Sequence, residues 1–167
     1  MSWYFKCKRT KEGKIGFVDE HGNPLTKTRF SEALPFAEGM AAIKVDGKWG
    51  FINKAGKMVI APKYDQAFSF EDGLAKIGKD NCYGYIDKLG REIVPVKYSY
   101  LGKFCNGLAA VSNESAQWGY IDRQGREVIG LIYNFAEEFK YGIARVMRKS
   151  KWYLIDEAGK EKLDENL

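Results

Sequence analysis

One short pattern returns five times in this chain, and it dictates the kind of fold available. Ile15-Gly16-Phe17-Val18-Asp19 is followed by Trp49-Gly50-Phe51-Ile52-Asn53, Tyr83-Gly84-Tyr85-Ile86-Asp87, Trp118-Gly119-Tyr120-Ile121-Asp122 and Trp152-Tyr153-Leu154-Ile155-Asp156. The second position runs 16, 50, 84, 119, 153, so the steps are 34, 34, 35 and 34. Three further series keep the same step. They are Phe36-Ala37-Glu38-Gly39 with its copies starting at Phe70, Phe104 and Phe139, the glycines Gly22, Gly56, Gly90, Gly125 and Gly159, and the aromatics Phe30, Tyr64, Tyr98 and Tyr133. A unit this small cannot bury its own apolar face, so like units must stack on one another.

Each unit spells out short strands and tight turns. After Phe-x-x-Gly comes a small and apolar run, Met40-Ala41-Ala42-Ile43-Lys44-Val45 or Leu108-Ala109-Ala110-Val111. A polar turn such as Asp46-Gly47-Lys48 then leads into the aromatic-Gly strand, which is a hairpin signature. Asp-x-x-Gly makes a second turn, where an Asp side chain can bond the backbone two residues on. A third strand follows, Met58-Val59-Ile60 or Glu127-Val128-Ile129, and Pro62 and Pro95 are expected to end or edge its ladder. Residues 64–70 are expected to return the chain as a loop or one helical turn.

In the aromatic-Gly strand, side chains alternate between faces. Trp118 and Tyr120 point one way and Ile121 the other, so the strand should be buried on both sides. The bare Gly50, Gly84 or Gly119 invites a close visitor, expected to be a Tyr or Phe of the adjacent unit. The last copy has Tyr153 in place of Gly, which fits a cap.

The chain opens on a hairpin of residues 3–8 with 14–19 and finishes on another of 143–148 with 151–156. Both ends carry the same fragment, whereas a ring closed by splitting one blade would leave complementary ones. The fold expected is all-β: an open, solenoid-like tandem array of hairpins, the alternative being a small closed propeller-like ring. It forms a single domain over residues 1–167, with units of about 14–47, 48–81, 82–116 and 117–150 and a partial cap at 151–167.

Composition narrows the functional classes. The chain has 167 residues, 45% hydrophobic and 29% charged, and a net charge of 27 − 22 = +5. That fits a globular protein and excludes a disordered tail. No apolar run is long enough for a membrane helix, and the start shows no apolar signal segment, so a cytoplasmic location is expected. The three cysteines, Cys7, Cys82 and Cys105, are scattered, odd in number and form no CxxC pair, which fits a reducing compartment and no zinc site. A histidine-dependent catalytic site would have to use His21, the one histidine, which sits in a turn. No metal and no cofactor are implied.

The unit Trp49-Gly50-Phe51-Ile52-Asn53-Lys54-Ala55-Gly56-Lys57-Met58-Val59-Ile60-Ala61-Pro62-Lys63-Tyr64, continuing to Phe70-Glu71-Asp72-Gly73-Leu74-Ala75, resembles the bacterial WG repeat, also called the KWG repeat. The resemblance covers about residues 14 to 159. Copy one departs with Ile15 for Trp, copy four has Gly130 and Leu131 where proline is usual, and copy five is cut short. The resemblance implies an all-β repeat scaffold used as a protein-interaction module. It implies no shared catalytic residues, so none are assigned.

Residues that recur at one phase are most simply structural. That covers Trp49, Gly50, Gly84, Trp118, Gly119 and Trp152, together with the turn residues Asp19, Asp87, Asp122 and Asp156, which share their position with Asn53. Function should sit where the units differ. The largest difference is basic: Arg145, Arg148, Lys149 and Lys151 in the last hairpin, and Lys6, Lys8, Arg9, Lys11 and Lys14 in the first. Such charges also blunt sheet edges. Tyr100 and Lys103 are unit-specific as well. The function expected is non-enzymatic binding of another protein, one concrete form being an immunity-type inhibitor that occludes a bacterial toxin. The alternatives are nucleic-acid binding through the basic end hairpins, which 22 interleaved acids oppose, and a glycan-binding protein or enzyme, for which the sequence offers no unit-specific carboxylate pair. Nucleic acid and membrane are not expected partners.

Overall fold

The computed structural model describes residues 6–19, 21–27 and 30–162. Among them every regular element is a strand, and all pairings are antiparallel. Strands β1 (Lys6–Arg9) and β2 (Ile15–Val18) form a first sheet. The second has β3 (Glu32–Ala33), β4 (Met40–Val45), β5 (Lys48–Asn53) and β6 (Met58–Tyr64). The third has β7 (Gln66–Ala67), β8 (Leu74–Lys79), β9 (Cys82–Asp87) and β10 (Glu92–Tyr98). The fourth has β11 (Tyr100–Leu101), β12 (Leu108–Ser112), β13 (Trp118–Asp122) and β14 (Glu127–Tyr133). The fifth has β15 (Phe135–Ala136), β16 (Ile143–Arg148), β17 (Lys151–Asp156) and β18 (Glu161–Lys162). In each four-stranded sheet, neighbours in sequence are neighbours in space, and no sheet closes on itself. The all-β repeat fold expected from the sequence is the one observed. Trp3 and the rest of the opening stretch up to residue 5 lie outside the described residues.

Residues 64–70 depart from expectation. They form neither a loop nor a helical turn: Gln66–Ala67 is a two-residue strand that opens the next sheet. The same strand recurs as β3, β11 and β15. The three repeats over 48–81, 82–116 and 117–150 therefore each supply the last two strands of one sheet and the first two of the next.

The prolines depart too. Pro62 lies inside β6 and Pro95 inside β10, and neither ends its strand. The register explains this for Pro62. Trp49 pairs with Tyr64 and Phe51 with Ile60, so Ala61, Pro62 and Lys63 bulge opposite the single Gly50. A bulged residue has no ladder bond to donate, so a missing N–H costs nothing there. The bulge also identifies the visitor over the glycine. A Cβ on Gly50 would stand 2.5 Å from the Ile60 carbonyl oxygen and 2.7 Å from the Pro62 nitrogen. At Gly84 it would meet the Val94 carbonyl at 2.5 Å, and at Gly119 the backbone of Ile129 and Gly130. What approaches is the backbone of the unit's own third strand, not an aromatic ring of the next unit. This also corrects the account of Tyr153: β18 pairs with β17 only at Leu154 and Ile155, so among the described residues no bulge passes over Tyr153.

Contacts divide the chain into two compact units. One takes the described residues up to Asp80 with Tyr85–Glu92; the other takes Asn81–Gly84 with those from Ile93 onward. In the first, Phe17 meets Phe36 edge-on at 4.9 Å and Phe51 meets Phe70 at 5.1 Å. In the second, Tyr120 meets Phe139 at 4.7 Å. The third residue of the aromatic-Gly strand thus seats the Phe of the following Phe-x-x-Gly turn, one sheet on. Two of the sequence series are the two halves of one joint. Phe17, Phe30, Ala41, Ile43 and Ile52 form a core in the first unit. In the second, Leu108, Ala110, Tyr120, Ile129 and Tyr133 of the fourth sheet pack on Ala136, Ala144, Val146 and Ile155 of the fifth. The aromatic-Gly strand is buried on both faces, as its pattern predicts: Trp49 to Ile52 are all buried.

Candidate functional site

The recurring carboxylates are committed to turns. Asp122 Oδ1 accepts from the backbone N–H of Gln124 and of Arg126, each at 2.9 Å, while Oδ2 accepts from Arg126 Nε at 2.6 Å. Asp87 does the same with Leu89 and Arg91. Asp19 and Asp156 repeat the two backbone bonds, and Asn53 makes them with no charge at all. At Asp87 and Asp122, desolvation pushes the pKa up, but the bonds from residues four and two further on outweigh it and the net shift is down. His21 donates its backbone N–H to Asp19 at 2.9 Å, in the turn the sequence assigned it.

Cys82 and Cys105 are free and half-buried. Burial, then the neighbouring Glu138 carboxylate, raises the Cys105 pKa and favours the protonated thiol. The side chain of Cys7 lies outside the described residues.

The basic residues singled out in the last hairpin do not converge. Arg145 and Arg148 are three apart on β16, so they project from opposite faces. Arg145 lies over the Trp152 ring, 4.6 Å from its centre, and 3.9 Å from Glu137. Arg148 lies over the Tyr153 ring at 5.0 Å and pairs with Glu161. That bond raises its pKa still further. Lys149 and Ser150 make the tight β16–β17 turn with φ of 50° and 62°, and the Lys149 N–H donates to Asn134 Oδ1 at 2.9 Å. Lys151 opens β17 opposite Arg148 and is exposed.

A second set of residues does converge, and two of them, Trp118 and Trp152, stand at the recurring phase that the sequence reads as structural. Tyr100 and Trp118 rings are 4.8 Å apart, Trp118 and Phe135 4.9 Å, and Phe135 and Trp152 6.0 Å. Arg145 closes the line over Trp152. Trp49 is the core residue expected, but Trp118 is half-buried, and Tyr100, Phe135 and Trp152 are 40%, 38% and 41% exposed. The positions of Tyr100 and Phe135 hold Glu32 and Gln66 in the earlier sheets. The continuous aromatic line of Tyr100, Trp118, Phe135 and Trp152 therefore lies in the second unit, and it includes Tyr100, unexplained from sequence. The available signal was the change from Glu and Gln to Tyr and Phe at one phase.

The chain matches the family described as WG containing repeat over residues 15–49, 49–81, 83–115 and 118–152. None of the curated proteins matches its sequence. Among solved structures it is similar to Kluyveromyces lactis Hsv2, with a TM-score of 0.50 and 10% identity, covering 96% of this chain and 62% of that one. It spans 65% of the Hsv2 form whose loop 6CD is replaced by a Gly-Ser linker, again at a TM-score of 0.50 and 10% identity over 96% of this chain. The computationally designed Ika4 protein aligns at a TM-score of 0.45 and 14% identity, over 72% of this chain and 87% of that one. The likeness to Hsv2 is one of fold alone. Four tandem matches over residues 15–152 establish that this chain belongs to the WG repeat family.

Proposed function

We propose that this chain is a non-enzymatic, cytoplasmic module that works by binding another protein. The observation that carries the proposal is the line of Tyr100, Trp118, Phe135 and Trp152 ending at Arg145. Tyr, Trp and Arg are the residues that dominate interface energetics, because they bury large rigid area and still offer a polar end. A repeat scaffold serves this use well, since its core is fixed by the repeat while its surface is free to vary. The concrete form advanced is an immunity-type inhibitor that covers the active surface of a bacterial toxin.

Capture from cell extract with the tagged chain tests this, run in parallel with Tyr100→Ala and Trp152→Ala. A near-stoichiometric protein retained by the parent and lost by both variants supports the proposal. Recovery of that protein's toxic activity on release supports the inhibitor form. Retention of nucleic acid that elutes with moderate salt would overturn it.

A further inference from the structure

The strands β6, β10 and β14 each form one edge of their sheet, and they are not protected alike. An open edge invites pairing with another chain, and Pro and Lys are the residues that discourage it. β6 carries Pro62 and Lys63, and β10 carries Pro95 and Lys97. β14 has Gly130-Leu131-Ile132 in the same segment, with neither. Ile132 stands where the other two have lysine and is 59% exposed, and Val128 is 47% exposed. β6 and β14 share the same bulge, so the difference lies in the side chains. This exposure holds with the following sheet already in place, since the Gly159 turn lies on Ile129, where a Cβ would stand 3.4 Å from the isoleucine side chain.

The register shows which way the β14 backbone points. The Ala110 and Ser112 carbonyls accept the N–H groups of Gly102 and Ser99, on the β11 side. Their opposite residues, Tyr120 and Trp118, therefore turn their backbone groups to β14, where they meet Ile129 and Tyr133. The residues beside these, Val128 and Ile132, turn theirs outward. Among the described residues no strand pairs with that side. A row of outward N–H and C=O groups names its own occupant, because another extended backbone matches it group for group.

We propose that the outer edge of β14, from Val128 to Ile132, accepts an added strand: an extended segment of another protein, apolar in its middle and acidic at both ends. This rests on reading the chain as a protein-binding module and supplies the mode of contact. Val128 and Ile132 offer apolar side chains to the middle of such a segment. Charge sets its ends. The one charge on β14, Glu127, lies 3.7 Å from Lys97. Cations flank the strand on either side: the exposed Arg126 precedes it, and exposed Lys149 donates its N–H to Asn134, the residue that follows it.

Fluorescence anisotropy of the full chain with a labelled, end-capped peptide Asp-Thr-Val-Thr-Val-Thr-Val-Asp tests the proposal. The parent should bind it, and the amides of Val128 and Ile132 should gain hydrogen-exchange protection. Ile132→Lys and Leu131→Pro copy the residues of β6, so melting should hold while affinity falls by about tenfold or more. N-methylation of alternate peptide residues along one edge should abolish binding, because it removes the donors and leaves the side chains. A Lys-ended peptide should bind more weakly. A parent that fails to bind up to millimolar peptide, binding that survives both variants, or equal binding of the N-methylated peptide overturns the proposal. So does a parent that self-associates through this edge, reversed by Ile132→Lys. A captured protein lost with Tyr100→Ala and Trp152→Ala but held fully by Ile132→Lys overturns it while the protein-binding function stands.

Discussion

The Tyr120 hydroxyl donates to the Glu137 carbonyl at 2.6 Å, strapping the fourth sheet to the strand that opens the fifth. Two other buried tyrosines contrast with it. The hydroxyls of Tyr64 and Tyr98 have no hydrogen-bond partner among the described residues, and the same phase holds Phe30 in the first copy. One substitution should therefore have two signs. Tyr120→Phe should cost about 1 kcal/mol, whereas Tyr64→Phe and Tyr98→Phe should be neutral or stabilise by about as much. Thermal melts would show the first as a loss of roughly 2–4 °C. Equal losses in all three would contradict the assignment.

Tyr98, Tyr120 and Tyr133 set an alkaline limit. Burial raises the pKa of Tyr120, and also those of Tyr98 and Tyr133. A pKa raised in the folded state gives stability that is complete below the unfolded value and is lost as pH climbs past it. Urea midpoints should hold up to about pH 10 and fall beyond it. Tyr120→Phe should flatten that fall.

Glycine substitutions should divide by what lies above them. Gly119→Ala drives a methyl into the backbone of Ile129 and Gly130, and should cost about 3 kcal/mol. Gly130→Ala, where the nearest atom is 3.9 Å away, restores the Ala61 position of the second sheet. It should stabilise by about 0.5 kcal/mol through the unfolded chain. Urea titration of the pair decides the point.

Turn aspartates should tolerate the amide and not the methyl. Asn53 already does the work of Asp122, so Asp122→Asn should keep the turn, and Asp122→Ala should leave two backbone N–H groups without their acceptor. The lowered pKa values of Asp87 and Asp122 place their contribution above the unfolded value and remove it as pH falls below about 4. Asp122→Asn should be less acid-sensitive than the parent in a melting series taken down through that range.

Tyr141 tests the cost of the Phe-x-x-Gly turn. It has φ of 53° and is fully exposed, at the position held by Asp72 and Asn106 in earlier copies. Left-handed backbone disfavours a bulky side chain and suits Asn before Gly. Tyr141→Asn should raise stability by about 0.5 kcal/mol, read from the same urea titrations.

The repeat phase, the hairpins, the Asp turns and the doubly buried aromatic-Gly strand were legible because each leaves a periodic or turn-specific mark. The two-residue strands were not, since Gln66–Ala67 is too short to show alternation. The bulge was hidden for a related reason. Three residues facing Gly50 break the period of two that identifies a strand, and Pro62 then reads as a terminator. Repetition also misled in one respect. Trp118 and Trp152 share a phase with buried Trp49, yet exposure depends on the short-strand neighbours, Tyr100 and Phe135, and on what covers the sheet.

The most direct measurement of the central claim is quantitative capture with the tagged parent beside Tyr100→Ala and Trp152→Ala, reading protein identity and nucleic-acid content in the same eluate. The account predicts one protein at near-stoichiometric yield with the parent and its loss with both variants. An eluate dominated by salt-released nucleic acid, or a protein held equally by all three, would contradict it.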